Sequence, residues 1–273
     1  KNRKDLTARL LILLFSVFSF WAVVDVVIWA TNRTEVVLFW WSMQILTEPI
    51  VYAIGFYLLY SFIYRKLPQR KTNLIIAVAL LPLIILLPTP LNLEGIYIAY
   101  CDAVEGPLAL YYTYLLEVLF IFALLVTAFK GINVLKTGDE KKKIISFTTG
   151  IIVFLLVFTS GNIIGSITEN WDIAQYGLFG MPVFIGFLAY LIVRFKAFNV
   201  KVIATQALVW ALWIMIGSIL FVVQSDASII ITGITEAIAL IFGVMLIRTV
   251  KREVEQRERL QKLTEELNAK NVK

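Results

Sequence analysis

The chain has 273 residues, 60% of them hydrophobic and 16% charged, with a mean hydropathy of +0.84. An average soluble domain is about 45–50% apolar and about 25% charged, so a water-soluble enzyme of this size is excluded. Histidine is absent and Cys101 is the only cysteine. That excludes a phospho-accepting histidine, imidazole-held haem or zinc, Ser/His/Asp or Cys/His catalysis and an internal disulfide within these residues. The first residue is Lys1, and a piece of a longer protein is expected.

A helix that crosses a bilayer needs roughly 20 apolar residues, since the hydrocarbon core is about 30 Å thick and each residue rises about 1.5 Å. Eight stretches are candidates: 10–30, 36–64, 74–88, 108–129, 144–167, 177–193, 202–223 and 229–247. The third is short and carries Pro82, a kink point. The second is long enough to tilt or to project beyond the core. The runs are continuous rather than alternating, which argues against a β-barrel. The expected fold is all-α, a polytopic membrane bundle of eight spans with a C-terminal cytoplasmic signalling helix.

Basic residues set the expected orientation, because cytoplasmic loops carry an excess of Lys and Arg. Counted on alternate sides of the eight spans, 24 of the 25 Lys and Arg fall in segments 1–9, 65–72, 130–143, 194–201 and 248–273. The other side keeps Arg33 and holds Glu35, Glu94, Asp102, Glu105, Glu169, Asp172 and Asp226. Both ends are therefore expected in the cytoplasm, with the chain in an inner (plasma) membrane. The net charge of +6 is this topology signal, with contacts to anionic lipid. The lipid bilayer is an expected partner and nucleic acid is not. Loop 89–107, TPLNLEGIYIAYCDAVEGP, reads either as a lid over the bundle or as a plain connector, with no regular structure assigned. Its Cys101 is a free thiol, a link between protomers, or neither.

From Arg248 the last span continues as a polar sequence without Gly or Pro. Glu253/Arg257, Glu255/Arg259, Glu258/Lys262 and Glu266/Lys270 are i,i+4 pairs in the favourable order. Leu260, Leu263 and Leu267 form one heptad seam. Val250 and Val254 form another in a shifted phase, a stutter. These five residues are the candidate signal relay of a helix that leaves the bilayer and pairs with its twin as a parallel homodimer. A solvated monomeric helix is the alternative.

Four carboxylates fall within spans: Asp25, Glu48, Glu117 and Glu236. Each costs about 2.5 kcal/mol or more near the bilayer centre, so each is expected to face the bundle interior with a partner. Trp21, Asp25 and Trp29 share a helix face. Trp41, Gln44, Glu48 and Tyr52 form a stripe on the next span. Tyr114 and Glu117 lie three apart, and Thr159, Asn162 and Ser166 line the fifth span. Asp25, Trp29, Trp41, Gln44, Glu48, Tyr52, Tyr114, Glu117 and Asn162 are the candidate ligand or sensing set, an aromatic-walled pocket open outward. The competing readings are interfacial aromatic belts, interhelical hydrogen bonds, and for Glu48 the satisfaction of backbone groups freed by Pro49. Gly161/Gly165 and Ala239/Gly243 are small-xxx-small steps that suit helix packing. No lysine lies deep in a span to anchor retinal, and no Walker sequence, HExxH or nucleotide-binding glycine loop is present. No catalytic, cofactor or metal residue is assigned.

Several stretches resemble the N-terminal seven-transmembrane sensor region of bacterial histidine kinases. WAVVDVVIWA and VVLFWWSMQILTEPIVYAIGFYLLY, within 9–64, are similar to its early helices, and YCDAVEGPLALYYTY to the start of its fourth loop. YLIVRFKAFNV at 190–200 resembles its closing segment, and IRTVKREVEQRERLQKLTEEL the linker to a dimerisation and phosphotransfer domain. The resemblance implies that 1–200 is a sensor region lacking its first helix, 201–247 two further spans, and 248–273 a coiled-coil linker. It implies a sensory input module whose kinase domain, with its ATP, Mg and response-regulator partner, lies beyond Lys273, and it transfers no catalytic or binding residue. The rivals are a different output domain such as a cyclic-dinucleotide synthase or phosphatase, a transporter or channel subunit using Glu48 and Glu117 as an ion path, and a membrane anchor without a ligand.

Overall fold

In lipid a backbone must satisfy its own polar groups, so continuous apolar sequence folds as helix. The computed structural model describes residues 3–31, 33–97, 102–134, 138–168, 171, 175–195, 209–210, 212–213, 216–217, 220 and 226–271. Helix α1 (Arg3–Trp29) lies along α2 (Thr34–Tyr64), and α3 (Arg70–Leu86) rests lightly on α2. Strands β1 (Leu93–Tyr97) and β2 (Asp102–Glu105) follow, then a π-turn (Leu108–Thr113) that runs into α4 (Tyr114–Val134). Helix α5 (Gly138–Thr168), a 3₁₀ turn (Gln175–Phe179), α6 (Gly180–Phe195) and α7 (Asp226–Asn271) complete the order.

Among the described residues five helices are long and apolar enough to cross a membrane: Leu6–Trp29, Thr34–Tyr64, Leu108–Asn133, Gly138–Thr168 and Ile229–Gln256. Of the eight expected spans, the third forms α3, with 17 residues, and the sixth forms α6, with 16. The seventh falls mostly outside the described residues. The all-α membrane bundle therefore stands at the coarser level of five long spans. Its outer faces agree with lipid contact: Ile75, Val78 and Ile85 on α3 and Val118, Phe122 and Phe129 on α4 are all more than half exposed. Such apolar surface is too extensive for a water-facing monomer.

One hydrophobic core joins α1, α2, α4, α5, α6 and α7 across the expected boundary at residue 200. Tyr52, Phe18, Phe147, Phe154, Phe158 and Phe184 are its largest fully buried side chains. Helix α2 continues through Pro49 and stops where Arg65 adopts φ 58°, its N–H donating to the Ser61 carbonyl. Pro68, three residues on, cannot extend a helix.

Loop 89–107 contains an antiparallel hairpin, where the sequence alone assigns no regular structure. Leu93 pairs with Glu105 and Tyr97 with Asp102, with an irregularity between Leu93 and Gly95. Asn92 ties the hairpin down, its Nδ2 donating to Ser42 Oγ on α2 and to the Leu87 carbonyl. Gly106 closes it, because a Cβ there would collide with the carbonyl oxygens of Pro90 and Leu91. Ala103 of β2 joins Val24, Ile28, Val37, Trp41 and Ile45 in a second apolar cluster. The hairpin thus packs against α1 and α2 and delivers Glu105, the last residue of β2, to the helices.

Candidate functional site

Helix α5 presents Ser166, Asn162 and Thr159 at successive turns, and each meets a carboxylate. At the hairpin end Glu105 accepts from Ser166 Oγ at 2.6 Å and from Trp41 Nε1 at 3.3 Å, while Tyr114 OH shares a 2.8 Å bond with Ser166. Beside it Asp25 Oδ1 accepts from Gln44 Nε2 at 3.1 Å and Trp29 Nε1 at 3.3 Å. One turn deeper Glu48 Oε1 accepts from Asn162 Nδ2 at 2.7 Å and Trp21 Nε1 at 3.2 Å. Deeper still Glu117 Oε2 accepts from Thr159 Oγ1 at 2.8 Å, and its buried Oε1 has no partner. Tyr52 ends the series, its hydroxyl donating to the Leu155 carbonyl at 2.8 Å. From Ser166 to Leu155 this polar ladder descends about 16 Å along α5, roughly half the hydrocarbon thickness. Below it Phe147, Ile151, Phe154 and Phe184 fill the interior with no exposure.

The upper rungs surround a cavity of about 40 Å³. A single water needs about 10–15 Å³ by the same measure, so several waters or a small ligand fit. Its walls are Trp21, Trp29, Trp41 and Trp171, with Phe158 and Tyr114, and Asp25, Glu48 and Glu105 supply carboxyl groups. Among the described residues no Lys or Arg lines it. The aromatic walls brace one another: Trp21 meets Phe158 at 4.9 Å between ring centroids, and Trp41 meets Trp171 at the same separation. Gly177 and Leu178, in the turn Gln175–Phe179, close one side, and that turn also packs against α7.

Seven of the nine expected site residues line this cavity: Asp25, Trp29, Trp41, Gln44, Glu48, Tyr114 and Asn162. Tyr52 and Glu117 belong to the deeper rungs instead. Glu48 does not serve the backbone around Pro49; its described bonds come from Trp21 and Asn162. The Ala239/Gly243 step acts in packing: Trp213 Nε1 donates to the Ala239 carbonyl, and a Cβ on Gly243 would press on the Trp213 ring. Glu236, near Gly217, keeps Oε2 buried without a partner and lies apart from the cavity. Glu105, Trp171 and the turn Gln175–Phe179 were absent from the expected set. Of the relay residues, Val250 is buried in the bundle core and Val254 is half-buried, whereas Leu260 and Leu263 are exposed. Leu267 lies in α7, with its side chain outside the described residues, as is Cys101.

Burial pushes the Glu105 carboxyl above its ordinary value of 4.5, against the opposing effect of the bonds from Ser166 and Trp41. Glu48, Glu117 and Tyr114 lie within its electrostatic reach. A raised folded value means the folded chain holds this proton more tightly than the unfolded one. The resulting stabilisation is complete below the ordinary value and is lost as pH rises through the folded value. Melting in detergent micelles should therefore fall more steeply with rising pH above 4.5 in the wild type than in Glu105→Gln. Equal slopes would contradict this assignment.

No family model, curated protein or solved structure matches the chain.

Proposed function

We propose that the chain is the membrane-embedded sensory input module of a two-component histidine kinase. The hairpin end faces outward and both ends of the chain face the cytoplasm of a plasma membrane. The cavity receives a stimulus, and α7 carries the change to a kinase domain that uses ATP and Mg and serves a response regulator. The observation that supports this most is the shared turn Gln175–Phe179, which lines the cavity and packs on α7. Helix α7 runs for 46 residues, about 69 Å, more than twice the hydrocarbon thickness. Leu260 and Leu263, exposed in the single chain, are the seam through which two protomers pair. A stimulus that biases two packings of this helix is a sufficient switch.

The ion-path reading draws on Glu48 and Glu117, which lie within electrostatic reach of each other. The polar ladder ends at Leu155, above a floor of buried aromatic and aliphatic side chains. That closed end favours a receptor pocket over a path. Residues 1–267 joined to a histidine-kinase core, with one to four residues inserted after Arg252, test the sensor reading. Kinase output should rise and fall with helical periodicity as the phase turns. A flat response would overturn the reading.

A further inference from the structure

We infer that the cavity binds a small organic cation, of the size and kind of a methylated ammonium. This rests on the sensor reading for its biological meaning and names the chemistry of the stimulus. Three carboxyl groups converge on the cavity, and among the described residues no basic side chain lines it. Every described hydrogen bond to Asp25, Glu48 and Glu105 comes from a neutral donor, so no described side chain brings these carboxyls a positive charge.

The oxygens themselves point to a guest. At Asp25 and at Glu48 both described donors fall on one oxygen, Oδ1 and Oε1 respectively. The second oxygen of each has no described hydrogen bond, although the two residues are only 9% and 8% exposed. A carboxyl oxygen with no described donor keeps its lone pairs available to a guest.

The guest is organic rather than a metal ion. Among the described residues no three carboxylates approach closely enough to hold a metal, and hard cations demand six or more close oxygens. Six of the fifteen described lining residues instead carry aromatic rings, four of them indoles. Aromatic rings with dispersed carboxylates suit a cation whose charge is spread over methyl groups, through cation–π attraction. About 40 Å³ is some three times the room of one water, which suits a compact ammonium and not a peptide.

The probe is tetramethylammonium chloride, replacing sodium chloride at constant ionic strength, with the purified chain in detergent micelles. Four of the seven tryptophans line the cavity, so tryptophan emission reports occupancy. A saturable emission change is expected, and none with tert-butanol, a neutral analogue of similar shape. Glu48→Gln or Asp25→Asn should weaken binding by about tenfold or more, with a melting curve confirming that each variant is folded. If a variant does not fold, the comparison of tetramethylammonium, sodium and tert-butanol on the wild type decides alone. No saturable change, or an equal change with tert-butanol, would overturn the inference. So would full occupancy by sodium that tetramethylammonium cannot displace. Because emission reads occupancy without any kinase output, failure here is distinguishable from a flat insertion series.

Discussion

Replacing Glu48 with leucine is expected to destabilise the folded chain by roughly 2–6 kcal/mol, because it orphans two buried donors at about 1–3 kcal/mol each. Those donors are Trp21 Nε1, from α1, and Asn162 Nδ2, from α5. Glu48 sits on α2 between them, so one carboxyl joins three helices in the upper half of the bundle. Glu48→Gln separates charge from geometry. Its amide oxygen still accepts both bonds, and the group can no longer ionise in an apolar site, where a charge would cost stability. The glutamine variant should unfold at or above the wild-type denaturant midpoint and the leucine variant well below it. Equal midpoints for the two variants would mean that the Trp21 and Asn162 contacts carry no structural weight.

Phe154→Ala is expected to destabilise the chain by about 3 kcal/mol. Its ring is fully buried and lies 5.6 Å from Phe18, 5.5 Å from Phe184 and 6.1 Å from Phe158 between centroids. Phe→Ala in a core costs about 3–5 kcal/mol. The lower end applies here because lipid is as apolar as the protein interior, so what is lost is packing rather than transfer from water. The same helix turn receives α6: a Cβ on Gly180 would lie 2.7 Å from the Phe154 carbonyl oxygen. The truncation therefore loosens α5 from α1 and α6 together and undermines Phe158, a wall of the cavity. Phe154→Leu, which fills most of the space, should lose about 1 kcal/mol. Unfolding curves in micelles measure both, and an alanine variant as stable as the leucine one would contradict this packing.

What was legible in the sequence follows from what helical periodicity encodes. The i,i+4 pair Asp25/Trp29 and the stripe Trp41–Gln44–Glu48 needed only their own helices to be placed on one face, and they do share a wall. Tyr52 lies on the same stripe, but a further turn carries it below the cavity to Leu155. Glu105 could not be read in this way. Its partners Trp41 and Ser166 are 64 and 61 residues away, and it reaches them through a hairpin with two short strands and an irregular register. The turn Gln175–Phe179 sat at the edge of an expected span, where continuous apolarity conceals a change of backbone form. Val250 looked like a dimer-seam residue by spacing alone, yet the bundle buries it. Periodicity names the face of a helix and leaves open which neighbour covers that face.

Spin labels can follow the lower part of α7 relative to the rest of the bundle. Lys66, just past the end of α2, and Leu260 on α7 are both exposed. With both changed to cysteine and Cys101 to serine, a pulsed double-resonance experiment reads the distance between them within one chain. Comparison with the same labelled chain carrying Glu48→Gln removes an ionisable group from the cavity and keeps its shape. A displaced distance distribution, by the roughly 1–2 Å of a helix shift, is the expected result. Superimposable distributions would mean that the cavity and α7 do not communicate.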